Sequence, residues 1–350
     1  MEDKETMVHY GFSLADGSLI WGPTKPANDY NYFRQNTYAA YGKMYFGGYG
    51  GELYAYDIKT GNLLWTYGNG GPGNSTSSGL TTAWGSYPIF IDVIADGKIY
   101  LAGTEHSPDS PFYKGTRYRC INATDGTEIW TLLGWGTGMD ANYDRAADGF
   151  FVFLNCYDMR VYSVGKGPSA MTLDAPMNSL PIGNTLTIRG TILDIAAGTK
   201  QAEQAARFPY GVPAVSDASQ TEWMEYVYMQ KPRPTNATGV PITLSVVDSN
   251  GNYRTIGTTT SNADGFFSYN WKPDIEGTYN VVATFAGSES YWPSRAETSF
   301  VVDPSPATAS PYPEIVLPPT EMYLMGATAA IIVAIAIVGV LLALMLRKRA

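Results

Sequence analysis

Asp140, Asn142 and Asp144, at alternate positions, are the one fragment of this 350-residue chain spaced like a calcium-binding loop, in which side-chain oxygens at positions one, three and five ligate a hard cation. The loop then departs from that pattern. Arg145 stands where the sharp turn needs Gly, and Phe151 where a bidentate Glu would close the site, so the fragment reads as a solvated loop and its three residues as metal candidates only. Glu105, His106 and Asp109 form a second group of ligand types, beside a turn at Pro108 that accounts for them as surface residues. His9 and His106 are the only histidines, which excludes a histidine-rich metal centre. No glycine-flanked nucleophile elbow accompanies any serine. No catalytic residue is assigned, and the expectation is a non-enzymatic protein.

Cys120 and Cys156 are the only cysteines, so no disulfide framework carries the fold. Outside a cell they could bridge each other; two independent buried thiols are the alternative. Three sequons begin at Asn74, Asn122 and Asn236 and are candidate glycosylation sites if the chain is exported.

The elements that would position these groups are mainly β. Gly 37, Pro 22, Tyr 26 and Trp 8 favour short strands and tight turns over long helices. A strand, a turn and a tryptophan recur three times: Gly11 to Trp21 (GFSLADGSLIW), Ala55 to Trp65 (AYDIKTGNLLW) and Cys120 to Trp130 (CINATDGTEIW). Each copy sets a glycine four residues before the tryptophan, at Gly17, Gly61 and Gly126. A glycine can take φ > 0 in a tight turn, while the indole on the next strand is a large docking surface. A small residue opens each copy and is expected to leave room for a neighbour's ring. Hairpin signals starting at Gly42, Gly97 and Gly149 lie 55 and 52 residues apart.

The middle copy, with Ala55, Asp57, Thr60, Gly61 and Trp65 in place, resembles the tryptophan-docking motif of the pyrroloquinoline quinone (PQQ) type β-propellers. The resemblance covers roughly residues 8 to 167 and implies four-stranded blades, each Trp locking one blade to the next. Gly17, Trp21, Ala55, Asp57, Gly61, Trp65, Gly126 and Trp130 are then blade-docking residues. Quinoprotein dehydrogenases of that family hold PQQ with an adjacent cysteine pair, a calcium cluster and a catalytic aspartate. This chain has no Cys-Cys, so neither PQQ nor calcium is expected as a cofactor.

From about residue 169 alternation replaces the repeat. Leu186, Ile188 and Ile192, then Ile242, Leu244 and Val246, then Phe267, Tyr269 and Trp271, then Tyr279, Val281, Ala283 and Phe285 mark strands, with turns at Asn250-Gly251 and Asp264-Gly265. The segment from Asp274 to Tyr279 resembles the tyrosine corner of immunoglobulin-like domains, which implies a β-sandwich over 169–302. An insertion over about 195–236 carries a helix signal: Ser219 with Glu222 as a capping box, Trp223 with Val227 and Met224 with Tyr228 at i,i+4, and a stop at Pro232 and Pro234. The insertion is expected to lie as a lid on the sandwich end, or to serve as a partner-binding surface.

Residues 303–321 are a proline-rich stalk, and 322–346 an uncharged run of 25 residues, about 37 Å long as a helix. Arg347, Lys348 and Arg349 follow, in the tail 347–350, and place the C-terminus on the cytoplasmic side with the large N-terminal part outside. Without these cations the chain holds 20 Lys+Arg against 32 Asp+Glu, a net −12, which excludes nucleic acid as a partner. The whole pattern resembles archaeal cell-surface proteins that combine PQQ-binding-like β-propeller repeats, an immunoglobulin-like domain and a C-terminal membrane anchor. It implies a single-pass cell-membrane glycoprotein that binds or scaffolds an envelope protein; a carbohydrate-binding or adhesive module is the second reading, and a quinoprotein oxidoreductase the third. Residues 8–167 give three to four blades, short of most closed propellers, in the repeat domain 1–168, and the polar start from Met1 has no apolar run to serve as a signal. Further upstream repeats and a secretory signal are therefore expected.

Overall fold

The structure, a computed structural model, describes residues 1–32, 35–48, 50–68, 89–102, 104–105, 117–137, 145–305 and 319–348. Two compact units are present, Met1–Pro304 and Ser305–Ala350.

In the first unit the repeats fold as successive antiparallel meanders. A short hairpin, Gly11–Phe12 with Leu19–Trp21, precedes a four-stranded sheet 1 made of Gln35–Ala40, Lys43–Gly48, Leu53–Asp57 and Leu63–Tyr67. Sheet 2 repeats the order with Phe90–Ala95, Lys98–Ala102, Arg117–Asn122 and Glu128–Leu133. Sheet 3 has three strands, Arg145–Ala147, Phe150–Asn155 and Arg160–Gly165. The hairpin signals are realised: each first turn has φ > 0 at two successive residues, Tyr41-Gly42, Asp96-Gly97 and Asp148-Gly149, the twist that two-residue hairpins need.

The sheets pack through alternating faces. Tyr45, Leu53, Ala55 and Tyr67 of sheet 1 share a core with Ile91, Ile99, Leu101 and Ile121 of sheet 2. The opposite face of sheet 2, with Tyr100, Tyr118 and Cys120, meets Phe151 and Phe153 of sheet 3. Tyr100 stacks on Phe151 at 4.6 Å and Tyr118 on Phe153 at 3.9 Å between ring centroids.

Two further sheets close face to face on one core. In the first, Leu186–Asp194 is central, with Ser169–Asp174 on one side and Phe266–Trp271 and Val212–Pro213 end to end on the other. The second runs in the order Leu180–Pro181, Ser294–Asp303, Gly277–Phe285, Pro241–Val247, Tyr253–Thr260. Inward residues of the two, among them Ile188, Ile192 and Phe267 against Leu244, Val281 and Phe300, form the shared core. Each strand expected from alternation is present, and Gly251 and Gly265 turn at φ +83° and +80°.

The insertion carries two helices, α1 (Ala202–Arg207) and α2 (Gln220–Tyr228). Here the expected capping box is corrected. Ser219 has helical backbone angles and caps nothing; its hydroxyl instead accepts the Thr238 amide at 3.0 Å, because a 3₁₀ turn over Asp217–Ser219 leads into the helix and displaces its start.

In the second unit α3 (Thr320–Arg347) spans 28 residues, with a mean hydropathy of 3.1 over an 18-residue window, and is long and apolar enough to cross a membrane. Most of the proline-rich segment, 306–318, lies outside the described residues.

Candidate functional site

The three glycine turns share one geometry although their sequences differ. In each, the glycine amide donates to the carbonyl four residues back: Gly17 to Ser13 at 2.9 Å, Gly61 to Asp57 at 2.8 Å and Gly126 to Asn122 at 2.9 Å. A side chain at that earlier position fastens the loop from inside. The Asp57 carboxylate accepts the Thr60 amide at 2.8 Å and the Thr60 hydroxyl at 3.0 Å, and the Asn122 carbonyl oxygen accepts the Thr124 amide at 2.8 Å. The bonds from Thr60 hold Asp57 below the ordinary carboxylate range. Asn122, a sequon residue, therefore has a structural task in its turn; Asn236 is exposed, and Asn74 lies outside the described residues.

Two of these turns receive a tryptophan from the preceding repeat. Trp21 Nε1 donates to the Ile58 carbonyl at 3.0 Å with its ring over Gly61, and Trp65 Nε1 donates to the Thr124 carbonyl at 3.1 Å with its ring over Gly126. A Cβ at Gly126 would stand 2.6 Å from the Trp65 ring, so only glycine admits the indole. Trp130 instead packs beside the stacked pair Tyr100 and Phe151. Nothing lies within 4 Å of a Cβ built at Gly17. The small opening residue has a different purpose from the expected one. Gly11, Ala55 and Cys120 each pair in register with the tryptophan of their own hairpin, and a Cβ at Gly11 would overlap the Trp21 ring.

The insertion contacts the paired sheets through Asp217, which accepts from the Ser288 hydroxyl at 2.9 Å, and also reaches the repeats. Glu225 of α2 accepts the Leu133 amide of sheet 2 at 2.9 Å and Arg117 Nη1 at 3.1 Å. Met224 packs on the core between sheets 2 and 3, while Trp223 and Val227 pack with Val212 and Val215. Arg160 of sheet 3 reaches the Tyr228 carbonyl and Glu203, both at 3.3 Å. Behind this contact Asp194 is buried beside Tyr291; burial raises the carboxyl and, with Asp194 adjacent, the phenol. Sequence reasoning missed this link because Glu225 looks like an ordinary polar helix residue.

The metal candidates Asp140, Asn142 and Asp144, and also His106 and Asp109, fall outside the described residues; Glu105 lies on a two-residue strand paired with Gly136–Thr137. Among the described residues no three His, Cys, Asp or Glu side chains are grouped to hold a metal ion. Cys120 and Cys156 are thiols, so the bridge weighed between them is not formed. Cys120 is fully buried facing Tyr100, and burial pushes its thiol up to about 12, which suits packing and disfavours a thiolate nucleophile.

Sheet 3 carries an exposed apolar surface. Its central strand, Phe150–Asn155 (FFVFLN), is apolar on both faces, as in a strand buried from two sides. Phe151 and Phe153 are buried against sheet 2, whereas Phe150, Val152 and Leu154 remain 39, 37 and 36% exposed, with Val161 at 70% beside them. The last strand, Arg160–Gly165, pairs on one side only among the described residues.

No family model matches the chain, and no curated protein is similar to it in sequence. Among solved structures, BamB from Moraxella catarrhalis is similar at 12% identity and a TM-score of 0.30, over 77% of this chain and 67% of that one. A quinohemoprotein alcohol dehydrogenase from Pseudomonas putida HK5 gives 15% and 0.22, over 46% of this chain and 18% of its own. A europium-containing methanol dehydrogenase gives 10% and 0.28, over 53% and 45%. The chain thus spans less than half the length of either dehydrogenase, and no ligand or activity passes from these likenesses to it.

Proposed function

We propose that this chain is a non-catalytic binding scaffold, anchored by α3 with its N-terminal unit outside the cell, and that an envelope protein docks on the outer face of sheet 3. One observation carries the reading: a strand apolar on both faces is covered on only one, leaving Phe150, Val152, Leu154 and Val161 as a contiguous unpaired surface. The docking of Trp21 and Trp65 on the next turn supports assigning the repeats to a partial propeller. The Tyr279 hydroxyl supports an immunoglobulin-like sandwich: it donates to the Ile275 carbonyl at 3.2 Å and accepts the Ile275 amide at 3.1 Å, the bond pattern of a tyrosine corner. The cations after α3 support a cytoplasmic C-terminus.

A photo-crosslinking residue placed at Val152 in cells should give a discrete protein adduct, and the same residue at Thr258, on the far sheet, should give none. Equal labelling at both positions, or none at Val152, would refute the docking face. Added PQQ and calcium should elicit no dye reduction from the purified chain.

A further inference from the structure

We infer that the edge of the paired sheets around Phe266 is a binding site for a neutral oligosaccharide. An open surface groove of about 410 Å³ lies there, lined by Thr260, Asn262, Phe266 and Ser268 among others. That volume lies within the range of small-ligand sites. One exposed aromatic ring lines it, Phe266, 44% exposed, and Tyr210, 77% exposed and outside the lining, extends that aromatic surface by meeting Phe266 edge-on with centroids 6.3 Å apart. A pyranose offers such rings an apolar C–H face, and its hydroxyls need donors and acceptors alongside.

Those polar groups are present and held in place. The Asn262 carbonyl oxygen accepts the Asp264 and Phe266 amides at 2.9 and 3.0 Å, which turns its NH₂ outward as a fixed donor. The Thr259 hydroxyl is spent on the Ser268 carbonyl at 3.0 Å, while the exposed hydroxyls of Thr260 and Ser268 face solvent. The rings are positioned by rigid turns. Gly265 has φ +80° and a Cβ there would lie 2.7 Å from the Ile192 carbonyl oxygen; a Cβ at Gly211, beside Tyr210, would lie 2.7 Å from Leu193. Preorganisation of this kind lowers the ordering cost that limits weak ligands.

The charges at the site select a neutral ligand. Arg233 is paired with Asp264 at 2.7 Å, and Arg189, in register with Ser268, has Asp174 opposite it on the next strand. An acidic sugar would meet as much negative as positive charge.

The test uses the full chain in detergent micelles, with cellotetraose, mannotetraose and chitotetraose as probes and tetragalacturonate as the charged control, read by saturation-transfer NMR. At least one neutral tetrasaccharide should bind saturably and more tightly than the control. Tyr210→Ala should weaken it roughly three- to tenfold, the size of an aromatic contact, with unchanged thermal unfolding because the ring is exposed; Tyr210→Phe should retain it. Absence of binding by all three neutral probes, tighter binding of the control, or full affinity in Tyr210→Ala would overturn the site.

Discussion

The indole of Trp65 lies over the turn at Gly126, 61 positions further along the chain, with its Nε1 bonded to the Thr124 carbonyl at 3.1 Å. Gly126 has φ +78°, and Gly17 nearly the same angle, +73°, with nothing above it. Alanine at either position meets the same backbone strain, about 1 kcal/mol or slightly more. Gly126→Ala must also displace an aromatic ring, so it should cost about 2 kcal/mol beyond Gly17→Ala in denaturant unfolding. Equal losses would show that the ring does not rest on the turn.

His9 gives the first unit a pH dependence. It is buried between Phe46, at 4.4 Å between centroids, and Tyr56, and neither ring nitrogen has a hydrogen-bond partner. Burial first, and the N-terminal ammonium second, lower it from 6.5 to about 4. Between those values the unfolded chain holds the extra proton, so stability is full above about pH 6.5 and falls as the pH drops toward 4, by up to about 3 kcal/mol. His9→Phe should therefore gain stability relative to wild type on acidification through that window. A pH-independent difference would mean that the ring is solvated.

Glu225 should prove to be the fastener of the insertion. Glu225→Ala leaves the Leu133 amide without its acceptor and should destabilise the N-terminal unit by about 2–3 kcal/mol. Hydrogen exchange at Leu133 should accelerate far more than at Val281, in the core of the paired sheets. Uniform acceleration would indicate global loosening.

Tyr279→Phe removes one hydroxyl that bonds to both the amide and the carbonyl of Ile275 and also reaches Asp274. A loss of about 1–2 kcal/mol is expected, with the ring packing on Trp271 and Phe300 unchanged. A neutral result would make the corner incidental to stability.

Maleimide should label Cys156, which is partly accessible, well before Cys120, which has no exposed surface. Labelling of Cys120 should appear only as the protein unfolds. Equal rates in the native state would contradict the seating of Cys120 between sheets 2 and 3.

Local chemistry was legible in the sequence wherever a single residue type is required. Glycine at the turns, tryptophan four positions later, two-residue alternation from Leu186 to Phe285 and the uncharged run of α3 each answer to backbone geometry or to burial, and both are properties of neighbours along the chain. Contacts between distant segments were not legible. That Glu225 caps the Leu133 amide, that Gly11 makes room for Trp21 of its own hairpin, and that Ser219 bonds to Thr238 and caps no helix all depend on which surfaces meet after folding. The strand Phe150–Asn155 marks the boundary between the two kinds of information: its unbroken apolar run fixed two faces fit for burial, and only the tertiary structure decided that sheet 2 covers one and leaves the other open.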